Sequence, residues 1–520
     1  MQVSLEKKQK IVQNTSRSRT YHSSKNLLLG LMNKMITIIL AFVSRNIFIR
    51  VLSVEYLGIN GLFADVLTML SLADLGFGTA MAYSFYKPIA ENDEIKITAL
   101  ITFYRKIYNY IAGSVLVIGL AIVPFLNQIV NVEHEINHLE LYYLICLGNT
   151  VLSYLFVYKS SIITASQKNY IITQYSVWIS CARVLLQTVI LVLTRNYVCY
   201  LSITLVATLA NNLLISYKAN QMYPYIRNKI ELDKKSKKEI FDNMKSVFLY
   251  KLSSVIMTGS DNIIISKLVG TVYVGFYSNY HTITVNQLGS LAAILFGSLT
   301  PSIGNLIVKE DAKKRYLIFQ SMQMVALWLS GLFVVCLFFL TDDFITLWLG
   351  PEHVMEWNVL VAVLMNFYLL ISFYPIWCFR EATGLYQKIK YILVFTAVLN
   401  IILSILLGYV WQVGGIIIAT VIAKLCTYVW YEPIILFRDF FERSTRPFFL
   451  SHLTNIGMIL GCMILIFKLI PNYDTVTVTG WVIRGIICFS ITNVVYLLRY
   501  WKTNEFQEVM HKLKSMRHKC

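Results

Sequence analysis

The sequence predicts an all-α polytopic membrane protein with about fourteen transmembrane helices. Three observations lead to this fold class. The 520-residue chain is 57% hydrophobic and only 14% charged, with a mean hydropathy of +0.60. Its apolar residues form blocks of roughly 20 to 25, the length of a helix that crosses about 30 Å of hydrocarbon. Lysine and arginine concentrate in alternate connections. A soluble globular fold is therefore excluded, because most of this surface cannot face water.

The first apolar block is predicted to be a retained helix. Residues 1–25 are polar and basic, and no small-residue cleavage site follows the block Asn26–Arg50. The predicted spans are 26–50, 57–83, 107–130, 140–164, 171–194, 199–219, 247–270, 274–300, 317–340, 356–378, 389–409, 414–437, 450–471 and 481–500.

The eighth span, 274–300, is unusually polar for a membrane helix. Hydrocarbon offers its polar groups no hydrogen-bond partner, so we expect this helix to line an aqueous cavity. The polar residues are Asn279, His281, Thr282, Thr284, Asn286 and Gln287.

The distribution of cations predicts the orientation of the chain. Connections near 87–106, 218–245, 309–315, 380–388 and 438–446 are basic, and Arg380 is counted among their cations. The alternate connections at 131–139, 341–355 and 472–480 are acidic instead, and Arg195 is the exception among the outer loops. Because basic loops stay inside, both termini are predicted to be cytoplasmic, in a bacterial inner membrane. The net charge of +18 then reflects topology and anionic lipid, and no nucleic acid is expected as a partner.

Neither a metal nor a cofactor is indicated. The nine cysteines are scattered and form no CxxC pair, and the sequence contains no phosphate-binding P-loop. The strongest acidic cluster in the outer loops is Asp342, Asp343, Glu352 and His353, which we interpret as a solvated turn. We therefore do not expect an enzyme.

An internal repeat predicts a two-lobed architecture. The segment 44–58 has the pattern SRNIFI, a leucine, then YLG, and the segment 260–275 has SDNIII, a leucine, then YVG. Six spans separate the two copies and both leave the same side, as in a parallel repeat; a chance match remains the alternative. The predicted organisation is a basic tail 1–25, lobe 26–219, linker 220–246, lobe 247–437, two further helices 438–500 and a cytoplasmic tail 501–520.

Several segments resemble the polysaccharide transporter and oligosaccharide flippase family. They are YLGINGLF from Tyr56, LSLADLGFG from Leu70, SDNIIIS from Ser260, GFYSNY from Gly275, FITLWLG from Phe344 and REATG from Arg380. The resemblance extends over nearly the whole chain. It implies the multidrug, oligosaccharidyl-lipid and polysaccharide exporter fold, with two six-helix lobes around a central cavity, two extra helices, and helices one, two, seven and eight facing that cavity.

Polar groups within the spans are the candidate functional residues, because a charge at the centre of a membrane costs about 2.5–3.5 kcal/mol even on the lenient insertion scale. Cations are expected to hold the diphosphate and acidic sugars of a lipid-linked glycan, acidic residues and a histidine to serve gating or ion coupling, and asparagines to line the cavity. The cations are Lys34, Arg45, Arg183, Lys251 and Lys424; the gating or coupling residues are Asp74, Asp261 and His281; the asparagines are Asn60, Asn262 and Asn279.

Each assignment has a structural alternative. Lys34 and Lys251 could extend to the interface, and Arg183 and Asp261 could form interhelical pairs that only support packing. Asp74 could orient the glycine-rich segment that follows it, and His281 could serve as a hydrogen-bonding residue.

Arg45 and Asp261 occupy matching positions in the two repeats and carry opposite charges. If the lobes are related by an axis along the membrane normal, these residues could pair as an outward gate. Single charge reversals would then impair export, and the double reversal would restore it.

The resemblance implies a flippase that moves polyprenyl-diphosphate-linked oligosaccharide for capsule, O-antigen or exopolysaccharide assembly, together with a polymerase and glycosyltransferases as possible partners. A cation-coupled drug antiporter of the same superfamily and a membrane-embedded glycosyltransferase or polymerase are the alternatives. Alternating access is the expected mechanism.

Overall fold

The computed structural model describes residues 34–70, 84–85, 88–89, 91–131, 136–166, 168–297, 299, 303, 307, 310–469 and 476–517. These residues are almost entirely helical, and none of them lies in a β-strand. The all-α class is confirmed. A helix satisfies its backbone hydrogen bonds within one segment, which is what hydrocarbon requires of a spanning chain.

The chain divides into two compact units, Met1–Val255 and Ile256–Cys520. The division falls inside the helix Lys234–Leu268, and this helix begins within the segment predicted as a linker. The lobe boundaries drawn from sequence, and the arrangement of the lobes around a cavity, stay predictions.

Unit 1 contains six long helices and the beginning of a seventh. They are α1 (Lys34–Leu52), α2 (Val54–Leu70), α3 (Glu94–Ile122), α4 (Leu139–Phe156), α5 (Asn169–Thr194), α6 (Tyr197–Met222) and α7 (Lys234–Leu268). Short helical pieces extend or connect them: Val123–Phe125, Leu126–Ile129, Val157–Lys159, Ser160–Ala165 and Pro224–Arg227. Helix α6 packs against both α4 and α5, and α3 packs against α4.

Side-chain caps begin several of these helices. The Asp93 side chain accepts a hydrogen bond from the Lys96 amide at 2.9 Å before α3, and Asn196 accepts from the Val198 amide at 2.8 Å before α6. Before α7, Asp233 accepts from the Ser236 amide at 2.8 Å, and this bond lowers the pKa of the Asp233 carboxyl. Such caps satisfy amides that have no intrahelical partner.

Unit 2 continues with ten helices numbered here and two π-helical segments. The helices are α8 (Thr271–His281), α9 (Ser290–Gly297), α10 (Ala312–Leu349), α11 (Trp357–Ser372), α12 (Tyr374–Thr383), α13 (Tyr386–Cys426), α14 (Tyr428–Leu436), α15 (Arg446–Leu469), α16 (Val478–Tyr500) and α17 (Asn504–Arg517). The π segments are Thr282–Gly289 and Phe437–Phe441, and a 3₁₀ turn spans Pro351–His353. Helix α10 contacts α11, α15, α16 and α17.

Helix α13 contains a sharp turn rather than one straight segment. Trp411 and Gln412 have non-helical dihedral angles, and Gln412 has a φ of 50°. This turn falls between the predicted spans 389–409 and 414–437. The two spans predicted there therefore correspond to the two halves of α13, with α14 extending the second.

Close packing between α10 and α16 depends on a glycine. A side chain at Gly331 would overlap the ring and hydroxyl of Tyr496, so only glycine permits this approach. The Tyr496 hydroxyl donates a 2.5 Å hydrogen bond to the Asn455 amide oxygen on α15, and the Trp328 indole on α10 donates to Asn493 Oδ1 on α16 at 3.0 Å. Polar contacts thus join the last two long helices to α10.

Large apolar side chains cover the outer surfaces of both units. Leu193 on α5, Phe467 on α15 and Leu498 on α16 are more than 70% exposed. Within the described residues, nine helices are long and apolar enough to cross a membrane, and the bent pair α11 and α12 would add a tenth. The protein is therefore a multi-pass membrane protein, whereas the count of fourteen spans stays a prediction.

Two predictions that placed charged residues in loops were wrong. Asp342 and Asp343 lie inside α10, which continues to Leu349, and not in a solvated turn. Asp342 accepts a hydrogen bond from the Tyr280 hydroxyl at 2.8 Å, and Asp343 pairs with Arg484 on α16 at 2.6 Å. The apolar segment FITLWL that follows these acids continues the helix, and each carboxylate contacts a side chain on another helix.

Arg380 is likewise not a solvated loop cation. It lies in α12, where its side chain is 6% exposed, and its Nη1 is 3.0 Å from both carboxylate oxygens of Glu432 on α14. Gly384 follows with a φ of 72° and ends the helix. The REATG segment thus contains a buried ion-pair residue and a left-handed turn that favours glycine.

Candidate functional site

A polar cavity of about 250 Å³ lies within unit 1 between α1, α2, α5 and α6. It brings together three residues predicted from sequence: Arg45 on α1, Asn60 on α2 and Arg183 on α5. The other lining residues are Thr37, Leu40, Ala41, Ser44, Phe48, Leu57, Ser180, Val184, Gln187 and Tyr200.

Aromatic packing fixes the wall of this cavity that carries Arg45. Phe48, one turn after Arg45, is 2% exposed and meets Tyr200 of α6 edge-on at a centroid distance of 5.0 Å. Phe48 also contacts Tyr197 at 5.9 Å, and Tyr197 contacts Tyr56 at 5.1 Å. These contacts hold α1 and α2 against α6.

Polar contacts fix the opposite wall. The Gln187 amide nitrogen donates to the Tyr200 carbonyl at 3.1 Å and to Thr204 Oγ1 at 2.7 Å, which joins α5 to α6. The Tyr200 side chain hydrogen-bonds with Ser44 and lies within electrostatic range of both Arg45 and Arg183. The two arginines therefore lie near the same tyrosine.

The cavity is electropositive. Among the described residues that line it, two are arginines and none is aspartate or glutamate. The buried Nε of Arg183 has no hydrogen-bond partner among the described residues. Two planar guanidinium groups in a partly desolvated site are suited to bind an anion with several oxygens.

A second polar cluster lies within unit 2 around Asp261, which is 6% exposed on α7. Thr420 Oγ1 donates to the two carboxylate oxygens at 3.3 and 3.2 Å. Asn400 Nδ2 donates to Thr420 Oγ1 at 2.8 Å and to Ser404 Oγ at 3.2 Å, and Ser404 Oγ donates to the Ile416 carbonyl at 3.4 Å. Carboxylate, hydroxyl and carbonyl oxygens thus converge between α7 and both halves of α13, where the Asn400 amide nitrogen donates to two of the hydroxyls.

Lys424 is the cation associated with this cluster. Its Nζ donates a 2.5 Å hydrogen bond to Asn366 Oδ1 on α11, and Lys424 interacts electrostatically with Asp261. Sequence reasoning predicted Lys424 as a substrate-binding cation. Its contacts lie within unit 2, where it balances a buried carboxylate.

The remaining predicted residues fall in several environments. Lys34 is half-buried at the beginning of the described part of α1, and Asn262 is half-buried next to Asp261. Asn279 is fully buried in unit 2, and His281 is half-buried with its ring 6.0 Å from that of Tyr277. Asp74 and the side chain of Lys251 lie outside the described residues.

Most of the polar side chains of the predicted eighth span are buried in the protein. Thr282, Thr284 and Gln287 are buried together with Asn279, whereas Asn286 is exposed. Most of these groups lie in the π-helical segment, a rare conformation that is frequent at functional sites. The prediction that this span lines an aqueous cavity remains a prediction.

Sequence reasoning missed Glu432, the buried partner of Arg380. A signal was present, because Glu432 is the only acid in the apolar run YVWYEPIIL of α14. It also missed Asn400 and Thr420, whose neutral side chains are common in membrane helices. Among the described residues, no group of three or more histidine, cysteine, aspartate or glutamate side chains could hold a metal ion.

Comparisons with known proteins give one sequence family and several solved structures that share the fold. Residues 23–307 match the sequence profile described as polysaccharide biosynthesis protein. A comparison with curated proteins gives no match. The solved structure of the lipid II flippase MurJ in its inward closed conformation shares the fold with a TM-score of 0.65 at 15% identity, over 91% of this chain and 98% of that one.

Two further solved structures share the fold. An inward-facing multidrug resistance MATE family transporter of the MOP superfamily matches with a TM-score of 0.60 at 14% identity, over 78% of this chain and 97% of that one. A MOP superfamily transporter from Pyrococcus furiosus, described as having a binding pocket of reverse polarity, matches with a TM-score of 0.56 at 13% identity, over 82% and 97%. At these identities the likeness concerns the fold.

Proposed function

Because the chain belongs to the polysaccharide biosynthesis protein family, we propose that it is a flippase that moves polyprenyl-diphosphate-linked oligosaccharides across the cytoplasmic membrane. The carried units would serve capsule, O-antigen or exopolysaccharide assembly. The observation that supports this most directly is the cavity of unit 1, with Arg45 and Arg183 on its walls and no carboxylate among the described residues that line it.

The chemistry of this cavity suits a diphosphate. A diphosphate presents several anionic oxygens that two guanidinium groups can bind with paired hydrogen bonds. Asn60, Ser180 and Gln187 add polar groups that could contact the first sugar. The polyprenyl tail would remain in lipid while the headgroup passes through the protein by alternating access.

The same observation argues against the drug antiporter alternative. A cationic drug needs carboxylates or aromatic faces in its site, whereas two arginines repel it. The acidic cluster around Asp342 was the best support for the enzyme alternative. Within unit 2, however, Asp342 accepts a hydrogen bond from Tyr280 and Asp343 pairs with Arg484. We also propose that a polymerase and glycosyltransferases are partners of the protein. Both of its termini are proposed to be cytoplasmic.

Deleting the protein tests the flippase proposal. We expect the lipid-linked repeat unit to accumulate on the cytoplasmic face and surface polysaccharide to be lost. The side on which the intermediate accumulates is measured with an impermeant oxidant added to intact cells, since loss of a polymerase would leave the intermediate accessible outside. Unchanged surface polysaccharide, or an intermediate that the oxidant reaches, would reject the assignment.

The Asp261 cluster supports a role in coupling transport to a cation. Its oxygens come from Asp261, Ser404, Thr420 and the Ile416 carbonyl, groups suited to a small hard cation, and a carboxylate could bind a proton instead. Lys424 would interact with Asp261 when no ion is bound. The whole cluster lies within unit 2, so an ion bound there could be coupled to transport through a local rearrangement of that unit.

Thr420→Val tests this role, since valine keeps the shape and removes the hydroxyl. We expect transport driven by an imposed sodium or proton gradient in proteoliposomes to fall about tenfold or more, because one ligand of the ion and one hydrogen bond to Asp261 are lost. Thr396→Val is the matched control: Thr396 is a buried threonine on the same helix that bonds to Thr427 instead. Equal gradient-driven transport in the two variants would contradict the coupling role.

A further inference from the structure

A second polar cleft, unrelated to the proposed transport cavity, lies within unit 2 beside the C-terminal helix α17. It has a volume of about 690 Å³ and runs between the first turns of α10, the turn that contains Arg443, and α17. Its walls include Lys313, Gln320 and His511. This volume is within the range of small-molecule sites in proteins.

The length of α10 allows the cleft to lie beyond the hydrocarbon. Helix α10 has 38 residues and is about 57 Å long, far more than the roughly 30 Å of a bilayer core, so its first turns can project into water. Helix α17 follows the end of α16 after a turn of three residues and is polar overall. The many cations of this end place it on the cytoplasmic side by the rule for basic loops.

The wall formed by α17 is held in place by specific contacts. Lys314 Nζ is 3.0 Å from both carboxylate oxygens of Glu508. The Phe506 ring stacks on Trp328 at a centroid distance of 6.3 Å and an interplanar angle of 20°. The cleft is therefore a formed site between two helices and not the surface of one.

The charge of the cleft is unbalanced. Lys313, Arg443 and His511 line it, and none of them has an ion-pair partner among the described residues, whereas the Glu508 carboxylate is held by Lys314. The Arg443 guanidinium lies 4.5 Å from the centre of the Tyr316 ring, which orients it. Lys313 and Arg443 thus outnumber the one carboxylate of the lining, Glu508, which Lys314 already holds, and this excess of positive charge favours an anionic occupant.

The inner end of the cleft has different chemistry. Tyr316 and Gln320 also line an adjoining cavity of about 170 Å³, whose walls include Arg499, Thr503 and Glu505. Apolar side chains such as Phe319 and Phe448 form other parts of its wall, and the Gln320 amide and Glu505 carboxylate beside them can bind the hydroxyls of a ligand. The two ends together match a molecule that carries phosphate on one side and hydroxyl groups on the other.

We propose that this cleft is a cytoplasmic binding site for a phosphate ester of a polyhydroxylated group. Lys313 and Arg443 bind the phosphate, and Gln320 and Glu505 bind the hydroxyls. The ligand is either a soluble sugar or nucleotide phosphate or the headgroup of an anionic lipid. Such a ligand would contact both α10 and α17.

Binding to the full-length protein in nanodiscs tests the proposal. All titrations use the Arg45→Ala/Arg183→Ala background, so that the proposed transport cavity does not contribute. In the soluble arm, uridine diphosphate is titrated into phosphatidylcholine nanodiscs by calorimetry. In the lipid arm, retention of phosphatidylglycerol from mixed nanodiscs is measured by native mass spectrometry.

We expect binding in one of the two arms and a loss of at least about tenfold in Arg443→Ala, because a charge-assisted contact to phosphate is removed. Arg443→Lys should retain part of the affinity, since it keeps the charge and loses the planar donor pair. Arg446→Ala is the matched control, an exposed arginine three residues away that does not line the cleft.

Uridine diphosphate binding would identify a soluble ligand, and phosphatidylglycerol retention alone would identify a lipid. Binding in neither arm overturns the proposal, as does an equal effect of Arg443→Ala and Arg446→Ala. These measurements do not involve transport, so their failure leaves the flippase assignment untouched.

Discussion

Arg183→Ala is expected to reduce transport of a lipid-linked oligosaccharide by about ten- to a hundredfold at unchanged protein level. Among the described residues, the cavity around Arg183 is lined by a second arginine and no carboxylate, and the buried Arg183 Nε has no hydrogen-bond partner, so this guanidinium is suited to a substrate anion. Removing it deletes charge-assisted hydrogen bonds to the diphosphate, each of which contributes about 1.5–3 kcal/mol. Arg183→Lys should give an intermediate rate, because lysine cannot make the paired contact.

The measurement is the rate at which a fluorescent lipid-linked oligosaccharide crosses the membrane of proteoliposomes, with protein level determined in the same preparations. Arg195→Asn is the matched control. Arg195 is an exposed cation at the end of the same helix, and asparagine tolerates its φ of 51°. If Arg183→Ala transports as fast as the control variant, or if the protein itself disappears, Arg183 has a structural role only.

Breaking the buried pair between Arg380 and Glu432 should produce the largest loss of stability. The two side chains are 6% and 2% exposed, and each carboxylate oxygen is 3.0 Å from Arg380 Nη1. Arg380→Met or Glu432→Leu alone leaves an uncompensated buried charge, at a cost of about 3–5 kcal/mol in the free energy of unfolding. The double variant Arg380→Met/Glu432→Leu removes both charges and should recover most of the stability.

The unfolding temperature of the purified protein in one detergent measures this effect, together with the amount of protein in the membrane. Arg438→Ala serves as the control: the Arg438 side chain is 68% exposed and Lys388 still pairs with Asp439 after its removal, so no measurable effect is expected. Single variants as stable as the parent protein, or a double variant no better than the worse single one, would show that the pair does not support α12 and α14.

The site was partly predictable because charge in a membrane helix is rare and costly. Arg45, Arg183 and Asn60 were selected for their polarity alone, and the structure brings them to one cavity of unit 1. Their substrate role remains a prediction. The pairing of Arg45 with Asp261 as a gate also remains a prediction, and within unit 2 Asp261 contacts Thr420.

Other parts of the site could not be predicted, because a single sequence does not show which polar groups meet. Thr420 and Asn400 become significant only beside Asp261, which lies more than a hundred residues away in sequence. Arg380 was read as a loop cation because it follows an apolar block, and only its contact with Glu432 shows that it is buried. Asp343 was likewise predicted to lie in a loop, and only its contact with Arg484 shows that it pairs with another helix.

The sequence by itself determined the class of this protein: a multi-pass helical membrane protein of a polysaccharide biosynthesis family. Hydrocarbon imposes helix length, polarity and backbone satisfaction on each segment separately, so those properties are visible locally. The tertiary structure decided which charges are neutralised within a unit, as at Arg380, and which face a cavity, as at Arg183. That distinction depends on contacts between helices far apart in the chain, and it decides which residues could bind a substrate.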